Sequence, residues 1–274
     1  MTSFKNKIVL ITGAASGIGL LMGEMSLQRG AKHLVMWDID SEALKKTSQK
    51  LISKGFSVST NIVDVRDKDQ ISKTAELVLN KLGNVDVLIN NAGIVVGKSF
   101  AEHSYEEIEN TFAVNSLGIM YVARAFLPAM IENDFGRVVN IASAAGLTPN
   151  PGMTVYAASK WAAVGWSDSL RVELQQTNKS VKVLTVMPSY INTGMFDGVK
   201  APLLIPFLDP HKISAKILDS VEKDKTYLRE PFMIKLSPFL RGIFPTKVYD
   251  FVAGKLLKVY SSMETFKGRK GNNK

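Results

Sequence analysis

Residues 12–19 read Thr-Gly-Ala-Ala-Ser-Gly-Ile-Gly and follow directly on the apolar run Ile8-Val9-Leu10-Ile11. The next stretch, 17–29, reads as a helix that stops at Gly30. A strand that ends in glycines and opens a helix builds a seat for a phosphate. The first N–H groups of a helix have no partner inside it and point at an incoming anion. Glycine lets the backbone approach without a Cβ in the way. An ordinary strand–helix turn uses the same residues, so the reading depends on what surrounds it.

Working outward, residues 8–11, 33–37, 58–63, 85–89, 137–141 and 181–186 read as strands. Residues 17–29, 41–54, 67–82, 105–132 and 155–176 read as helices, with Ser41 as a cap and Gly30, Gly55 and Gly83 as stops. Strands alternating with helices imply βαβ units and a parallel sheet. The strand runs are nearly all apolar, as expected when helices cover both faces. The fold class is α/β: a single doubly wound Rossmann-type domain with a central parallel sheet flanked by helices. The composition shows no break before about residue 195. Residues 1–195 therefore read as the main part, and 196–274 as an extension of the same domain.

Bulk properties exclude several classes of function. The chain has 274 residues, 46% of them hydrophobic and 22% charged, enough for one substantial core. It has no cysteine, hence no disulfide framework, thiolate nucleophile or cysteine metal site. His33, His103 and His211 are scattered, and no metal site is expected from them. The opening MTSFKNKIVLITG does not read as a signal peptide, because its apolar run is short and ends at Thr12-Gly13. No run of 18 uncharged apolar residues suggests a spanning helix. The net charge of +9 is uneven: residues 200–274 hold 15 Lys+Arg against 7 Asp+Glu, the first 199 hold 19 against 18.

Asp38 lies just past the end of the second strand, about 20 residues beyond the turn, where an acid can accept hydrogen bonds from the adenosine ribose hydroxyls. The same carboxylate repels a 2′-phosphate, so NAD is expected over NADP. A surface acid capping the next helix is the plainer reading, which Asp40 could fill instead. Asp64-Val65 follows the third strand, where an acid can hold an adenine amino group. Asn91, Ala92 and Gly93 follow the fourth, where small and amide residues let a backbone run beside a cofactor. Tyr156 and Lys160 are four apart on one helix and share a face. Ser143 lies just past the fifth strand, where open α/β sheets place their sites. A tyrosine with an ordinary pKa of about 10 is a poor base at neutral pH. An ammonium beside it favours the phenolate. A serine hydroxyl can hold the substrate oxygen, which completes a relay for making or breaking an alcohol.

Taken together these motifs resemble the short-chain dehydrogenase/reductase family over roughly residues 5–195. TGAASGIG matches its TGxxxGIG turn, Asn90-Asn91-Ala92-Gly93 its NNAG motif, and YAASK at 156–160 its YxxxK, with a serine thirteen residues before the tyrosine. The resemblance implies that Tyr156 is the general acid–base and that Lys160 lowers its pKa and holds the nicotinamide ribose. It implies that Ser143 orients the substrate oxygen and that Asn115 positions a water in the proton path. It places Gly13, Ser16, Gly17, Ile18 and Gly19 at the phosphates, and Pro188, Ile191 and Thr193 by the nicotinamide. One position departs: the family often has Pro-Gly after the sixth strand, and here it is Pro188-Ser189.

The region after Thr193 is the family's substrate lid, and here it is rich in Phe, Leu, Met and Pro. That resembles the branch of retinol dehydrogenases and lipid-droplet 17β-hydroxysteroid dehydrogenases. It implies a lipophilic alcohol or carbonyl substrate and a homodimer or homotetramer built on helices 105–132 and 155–176. Lys235, Arg241, Lys247, Lys255 and Lys258 alternate with large apolar residues, which suits peripheral membrane contact through 230–260. Packing of those apolar residues on the domain or on a second subunit is the plainer reading. No nucleic-acid motif appears, and a cytoplasmic location is expected. A non-enzymatic dinucleotide-binding sensor or scaffold is the alternative from another class. A reductase of small polar carbonyls is the alternative within the fold.

Overall fold

Val9, Leu10, Ile11, Leu34, Val35, Met36 and Trp37 have no exposed surface, because helices cover both faces of the strands that carry them. The computed structural model describes residues 2–268; Met1 and residues 269–274, the end of the expected extension, lie outside the described residues. Among these residues the strands are β1 (Ile8–Thr12), β2 (His33–Asp38), β3 (Val58–Ile62), β4 (Val87–Asn90), β5 (Gly136–Ile141), β6 (Val181–Pro188) and β7 (Tyr227–Glu230). The helices are α1 (Gly17–Gln28), α2 (Ser41–Ser53), α3 (Lys68–Leu82), α4 (Tyr105–Phe112), α5 (Gly118–Glu132), α6 (Thr154–Gln176), α7 (Pro210–Glu222), α8 (Phe232–Ile243) and α9 (Thr246–Asp250).

All the strand pairings are parallel, in the order β3-β2-β1-β4-β5-β6-β7. The order reverses between β1 and β4, and a crevice opens there at the carboxyl ends of the strands. One core layer packs α1, α2 and α7 on the sheet through Met22, Leu44 and Ile217. The other packs α3, α5 and α6 through Ile71, Phe126 and Leu170.

Three local readings change. The cap of α2 is Asp40, whose carboxylate accepts from the Ala43 N–H at 2.9 Å, and Ser41 is the first helical residue. The single helix expected over 105–132 is split by a π turn at Ala113–Leu117. Asn115 sits in that turn with both ends of its amide bonded to the Ile94 backbone outside the helix, and single π turns of this kind occur frequently at functional sites. By length and composition the whole run is apolar enough to cross a membrane, yet Val122, Ala123, Phe126 and Met130 are core residues.

The third change is at the far edge. Strand β7 is four residues long, carries Arg229 and Glu230, and has no apolar run to announce it. It pairs with β6, so the 196–274 region completes the sheet as well as covering it. Helix α7 carries a readable start, an Asp209 cap followed by Pro210, that the strand–helix alternation did not pick out.

Candidate active site

The glycine turn is clamped onto the end of β4. Thr12 Oγ1 accepts from the N–H groups of Asn91 and Ala92 at 3.0 and 3.1 Å. Asn91 Nδ2 donates to the carbonyls of Thr12 and Gly13, both at 3.0 Å. Gly13 has φ +64°, in the region that favours glycine. A Cβ on Gly19 would lie 2.1 Å from the Gly13 carbonyl oxygen, so only glycine lets α1 begin this close to the turn. Ser16 occupies the cap position of α1, and Ile18 is buried beneath the turn.

Asp38 reaches the same turn from β2. One carboxylate oxygen accepts from the Ala15 N–H at 2.9 Å and the other from the Asp40 N–H at 3.1 Å. Asp64 stands differently from its expectation as an open acceptor. Arg66 grips its carboxylate through Nε and Nη2 and holds the carboxyl below its ordinary range, while its Nη1 reaches Asn110. Arg66 went unread in the sequence, because an adjacent basic residue carries no motif. Val65 is buried against Gly118.

The second cluster assembles along the edge of α6. Tyr156 and Lys160 are one turn apart and both buried, at 5% and 4% exposure. Ser143 opens a short 3₁₀ turn, its hydroxyl accepting from the Ala145 N–H at 3.1 Å. Lys160 Nζ donates to the Ile141 carbonyl at 2.9 Å and stands 5.8 Å from the Tyr156 ring centroid. Asn115 Oδ1 accepts from the Ile94 N–H at 2.9 Å, and its Nδ2 donates to the Ile94 carbonyl and to Ser159 Oγ. A Cβ on Gly93 would lie 3.2 Å from Asn115 Oδ1 and 3.6 Å from Lys160 Nζ, so a bare Gly93 lets the two approach. Thr193 is the nearest neighbour of Gly17, which ties the segment after β6 to the glycine turn. Pro188 ends β6, Ser189 donates its N–H to the Glu230 carbonyl, and Ile191 is buried beside Leu208.

The electrostatics correct one expectation. Burial pushes the Tyr156 phenol up to about 12, against the pull of a hydrogen bond with Ser143. Burial also drops Lys160 to about 8. Desolvation therefore outweighs any help the ammonium gives the phenolate in this arrangement. The reason is local: Phe196 and Tyr190 crowd the phenol in a shared apolar cluster, and the Lys160 ammonium is directed at a backbone carbonyl.

The family model described as short chain dehydrogenase matches residues 7–203. The chain belongs to that family. The mouse (Mus musculus) epidermal retinol dehydrogenase 2 is 38% identical over 268 residues, covering 96% of this chain and 86% of its own. The estradiol 17-beta-dehydrogenase 11 of Macaca fascicularis is 34% identical over 255 residues, covering 93% and 84%. The crystal structure of a short chain dehydrogenase/reductase from Burkholderia phymatum in complex with NAD superposes with a TM-score of 0.81 at 28% identity, covering 88% of this chain and 95% of that one. This short-chain dehydrogenase is therefore an oxidoreductase on a Rossmann-type sheet, similar to the retinol and 17β-hydroxysteroid dehydrogenase branch.

In this short-chain dehydrogenase a mainly apolar cavity, open to solvent, is lined by Ser143. Its walls come from the lid: Phe196, Met233, Leu240, Phe244, Val252 and Leu257. Asn150, Tyr190 and Tyr249 also line it, and no sequence motif marks them. Asn150 and Tyr190 come from the loops after β5 and β6, and Tyr249 reaches the site because the lid folds back over the carboxyl ends of those strands. Among the described residues, no group of three or more His, Asp or Glu converges as a metal site.

Proposed function

We propose that this enzyme is an NAD-dependent dehydrogenase that interconverts a lipophilic alcohol and its carbonyl, with Asn115, Ser143, Tyr156 and Lys160 as its proton relay. The observation that carries the reading is the pairing of Ser143 and the buried Tyr156 with a large, mainly apolar cavity. The crevice fits a dinucleotide. The cradle at Gly13 and Gly19 leaves no room for a Cβ, the N–H groups of α1 open onto it, and Asp38 stands where a ribose would lie. When bound, the dinucleotide supplies hydride exchange with the carbinol carbon. Gly13, Ser16, Gly17, Ile18 and Gly19 hold its phosphates, and Asp38 accepts from the adenosine ribose. Asp64 and Val65 border the adenine, while Asn91, Ala92, Gly93, Pro188, Ile191 and Thr193 border the nicotinamide half. Lys160 donates to the nicotinamide ribose, Ser143 orients the substrate oxygen, and Tyr156 gives or takes its proton at the phenol oxygen.

The test is NADH formation by the purified enzyme on retinol, hydroxysteroids, long-chain alcohols and small polar alcohols. Oxidation of the lipophilic set supports the reading. Turnover confined to small polar alcohols would keep the relay and overturn the apolar-substrate assignment. The cofactor preference has its own variant. Asp38→Ser removes the charge that repels a 2′-phosphate, and the ratio of kcat/KM for NAD⁺ over NADP⁺ should fall at least tenfold, about 1.4 kcal/mol. An unchanged ratio would refute the role of Asp38.

The pH dependence follows from the phenol. With its pKa at about 12, Tyr156 is protonated at neutral pH, ready to donate to a carbonyl and unready to accept from an alcohol. For oxidation kcat/KM should therefore climb as pH rises from 7 toward 10, and for reduction it should not. Pre-steady-state or initial-rate profiles in both directions check this; a flat oxidation profile contradicts it.

Assembly and location complete the proposal. The enzyme forms a homodimer or homotetramer through α4–α5 and α6, where Trp161 and Val172 are exposed, and analytical ultracentrifugation tests the assembly. It is cytoplasmic and meets a membrane peripherally through 230–260, where Phe232, Phe239 and Phe251 are exposed beside Lys235, Arg241 and Lys255. Flotation with anionic vesicles tests that contact.

A further inference from the structure

The cavity wall is apolar apart from a few groups, and three of them form a cluster away from the relay. Thr148 Oγ1 lies 2.7 Å from Ser237 Oγ and 3.1 Å from the Tyr249 hydroxyl, and the last two are 3.3 Å apart. Thr148 comes from the loop after β5, Ser237 from α8 and Tyr249 from α9, and all three line the cavity. Ser237 and Tyr249 are at least nine-tenths buried. The apolar cluster around Tyr156 contains Met153, Tyr190, Phe196 and Met263 but no residue of α8 or α9, so the trio belongs to a different part of the wall.

The hydrogen bonding of the trio is incomplete. Three hydroxyls carry three donors and about six acceptor positions, and a closed ring among them uses all three donors but only three of the acceptor positions. The Thr148–Ser237 contact has the ordinary O–H···O length, whereas both contacts of the Tyr249 hydroxyl exceed it. The Tyr249 phenol therefore keeps an acceptor position free, and its contacts within the ring are the long ones, the easiest to exchange for a ligand oxygen. Fastening the lid does not by itself require the trio. Arg241 of α8 already donates to the Leu147 carbonyl at 3.1 Å and stacks over Trp161.

We propose that Thr148, Ser237 and Tyr249 form a subsite for a second oxygen, a hydroxyl or carbonyl remote from the reacting one, so that the preferred substrate is a bifunctional lipophilic alcohol such as a rigid diol or keto alcohol. The inference rests on the proposed dehydrogenase function and narrows its substrate class. Tyr249 accepts from a remote hydroxyl, or gives up one of its long ring contacts to donate to a remote carbonyl, and Thr148 and Ser237 orient the phenol. A lipophilic alcohol with one oxygen leaves the trio as it stands and gains nothing from it.

The experiment compares kcat/KM for a steroid diol with that for its deoxy analogue lacking the remote oxygen, in wild type, Tyr249→Phe and Thr148→Val. The wild type should prefer the diol, and each variant should cut the diol-to-deoxy ratio by about three- to tenfold, the range of one neutral hydrogen bond. The ratio is the decisive reading, because a variant that merely loosens the lid lowers both substrates together and leaves the ratio unchanged. A wild type that oxidises both analogues equally, or variants with an unchanged ratio, would overturn the subsite and leave the dehydrogenase reading intact. A wild type that oxidises no lipophilic alcohol at all would overturn both.

Discussion

Replacing Tyr156 with phenylalanine should lower kcat by about 10²–10⁴-fold, the usual contribution of one positioned acid–base group. The substitution removes a single oxygen, so the packing around it survives: the ring keeps its edge contact with Phe196 at 6.2 Å between centroids. NADH affinity, read by fluorescence titration, should stay within a few-fold of wild type, because the glycine turn and Asp38 are untouched. The split between lost turnover and kept binding separates a relay from a scaffold. A sensor that only reports dinucleotide levels has no use for the phenol. If Tyr156→Phe oxidises alcohols at the wild-type rate, the assignment of Tyr156 to the relay is wrong, and a protein that binds NADH but oxidises no alcohol as wild type would favour the sensor. Lys160 gives the matching contrast, since Lys160→Met should damage both turnover and binding through the ribose contact.

Gly19→Ala should abolish measurable dinucleotide binding and destabilise the fold. Its new Cβ would meet the Gly13 carbonyl oxygen at 2.1 Å and Asn91 Nδ2 at 2.6 Å. Neither atom can yield cheaply, because Asn91 Nδ2 is hydrogen-bonded to the Gly13 and Thr12 carbonyls and thereby holds β4 against the turn. Overpacking of this kind costs about 1–3 kcal/mol, and more where the backbone is the obstacle. Gly17→Ala is the informative control. Gly17 has φ +56°, but the nearest atom to its Cβ is 3.8 Å away, so it meets only backbone strain. That strain is about 1–2 kcal/mol. Denaturation midpoints and NADH titrations of both variants check the ranking. Wild-type NADH affinity in Gly19→Ala would show that α1 does not need this close approach.

Strongly periodic and fully buried features were legible in the chain. The central strands β1, β2, β4, β5 and β6 announce themselves as largely apolar runs, because strands covered on both faces have no polar side to show, whereas the edge strand β3 reads Val-Ser-Thr-Asn-Ile and is partly exposed. The glycine turn and the Tyr156–Lys160 pair were legible because close backbone approach and a shared helix face require fixed residue types at fixed spacing. Less was legible wherever the cause was a remote contact. The π turn at Asn115 depends on the Ile94 backbone 21 residues away, and nothing in the helical periodicity of 105–132 marks it. Strand β7 is a four-residue edge strand in which two of the residues, Arg229 and Glu230, are charged, so no apolar run marks it. It exists because β6 offers it a free ladder.

What the sequence by itself determined is the order of the elements from β1 to β6, the glycine turn between β1 and α1, and the placing of Tyr156 and Lys160 on one helix face, since each is written in local spacing. Tertiary structure alone decided their energetics and surroundings. Burial by Phe196 and Tyr190 carries the Tyr156 phenol to about 12 where a neighbouring ammonium was expected to lower it. The folding back of α8 and α9 brings Ser237 and Tyr249 to Thr148, residues 89 and 101 positions apart in the chain. Desolvation and long-range contact both depend on which surfaces meet, and no window of local sequence contains that information.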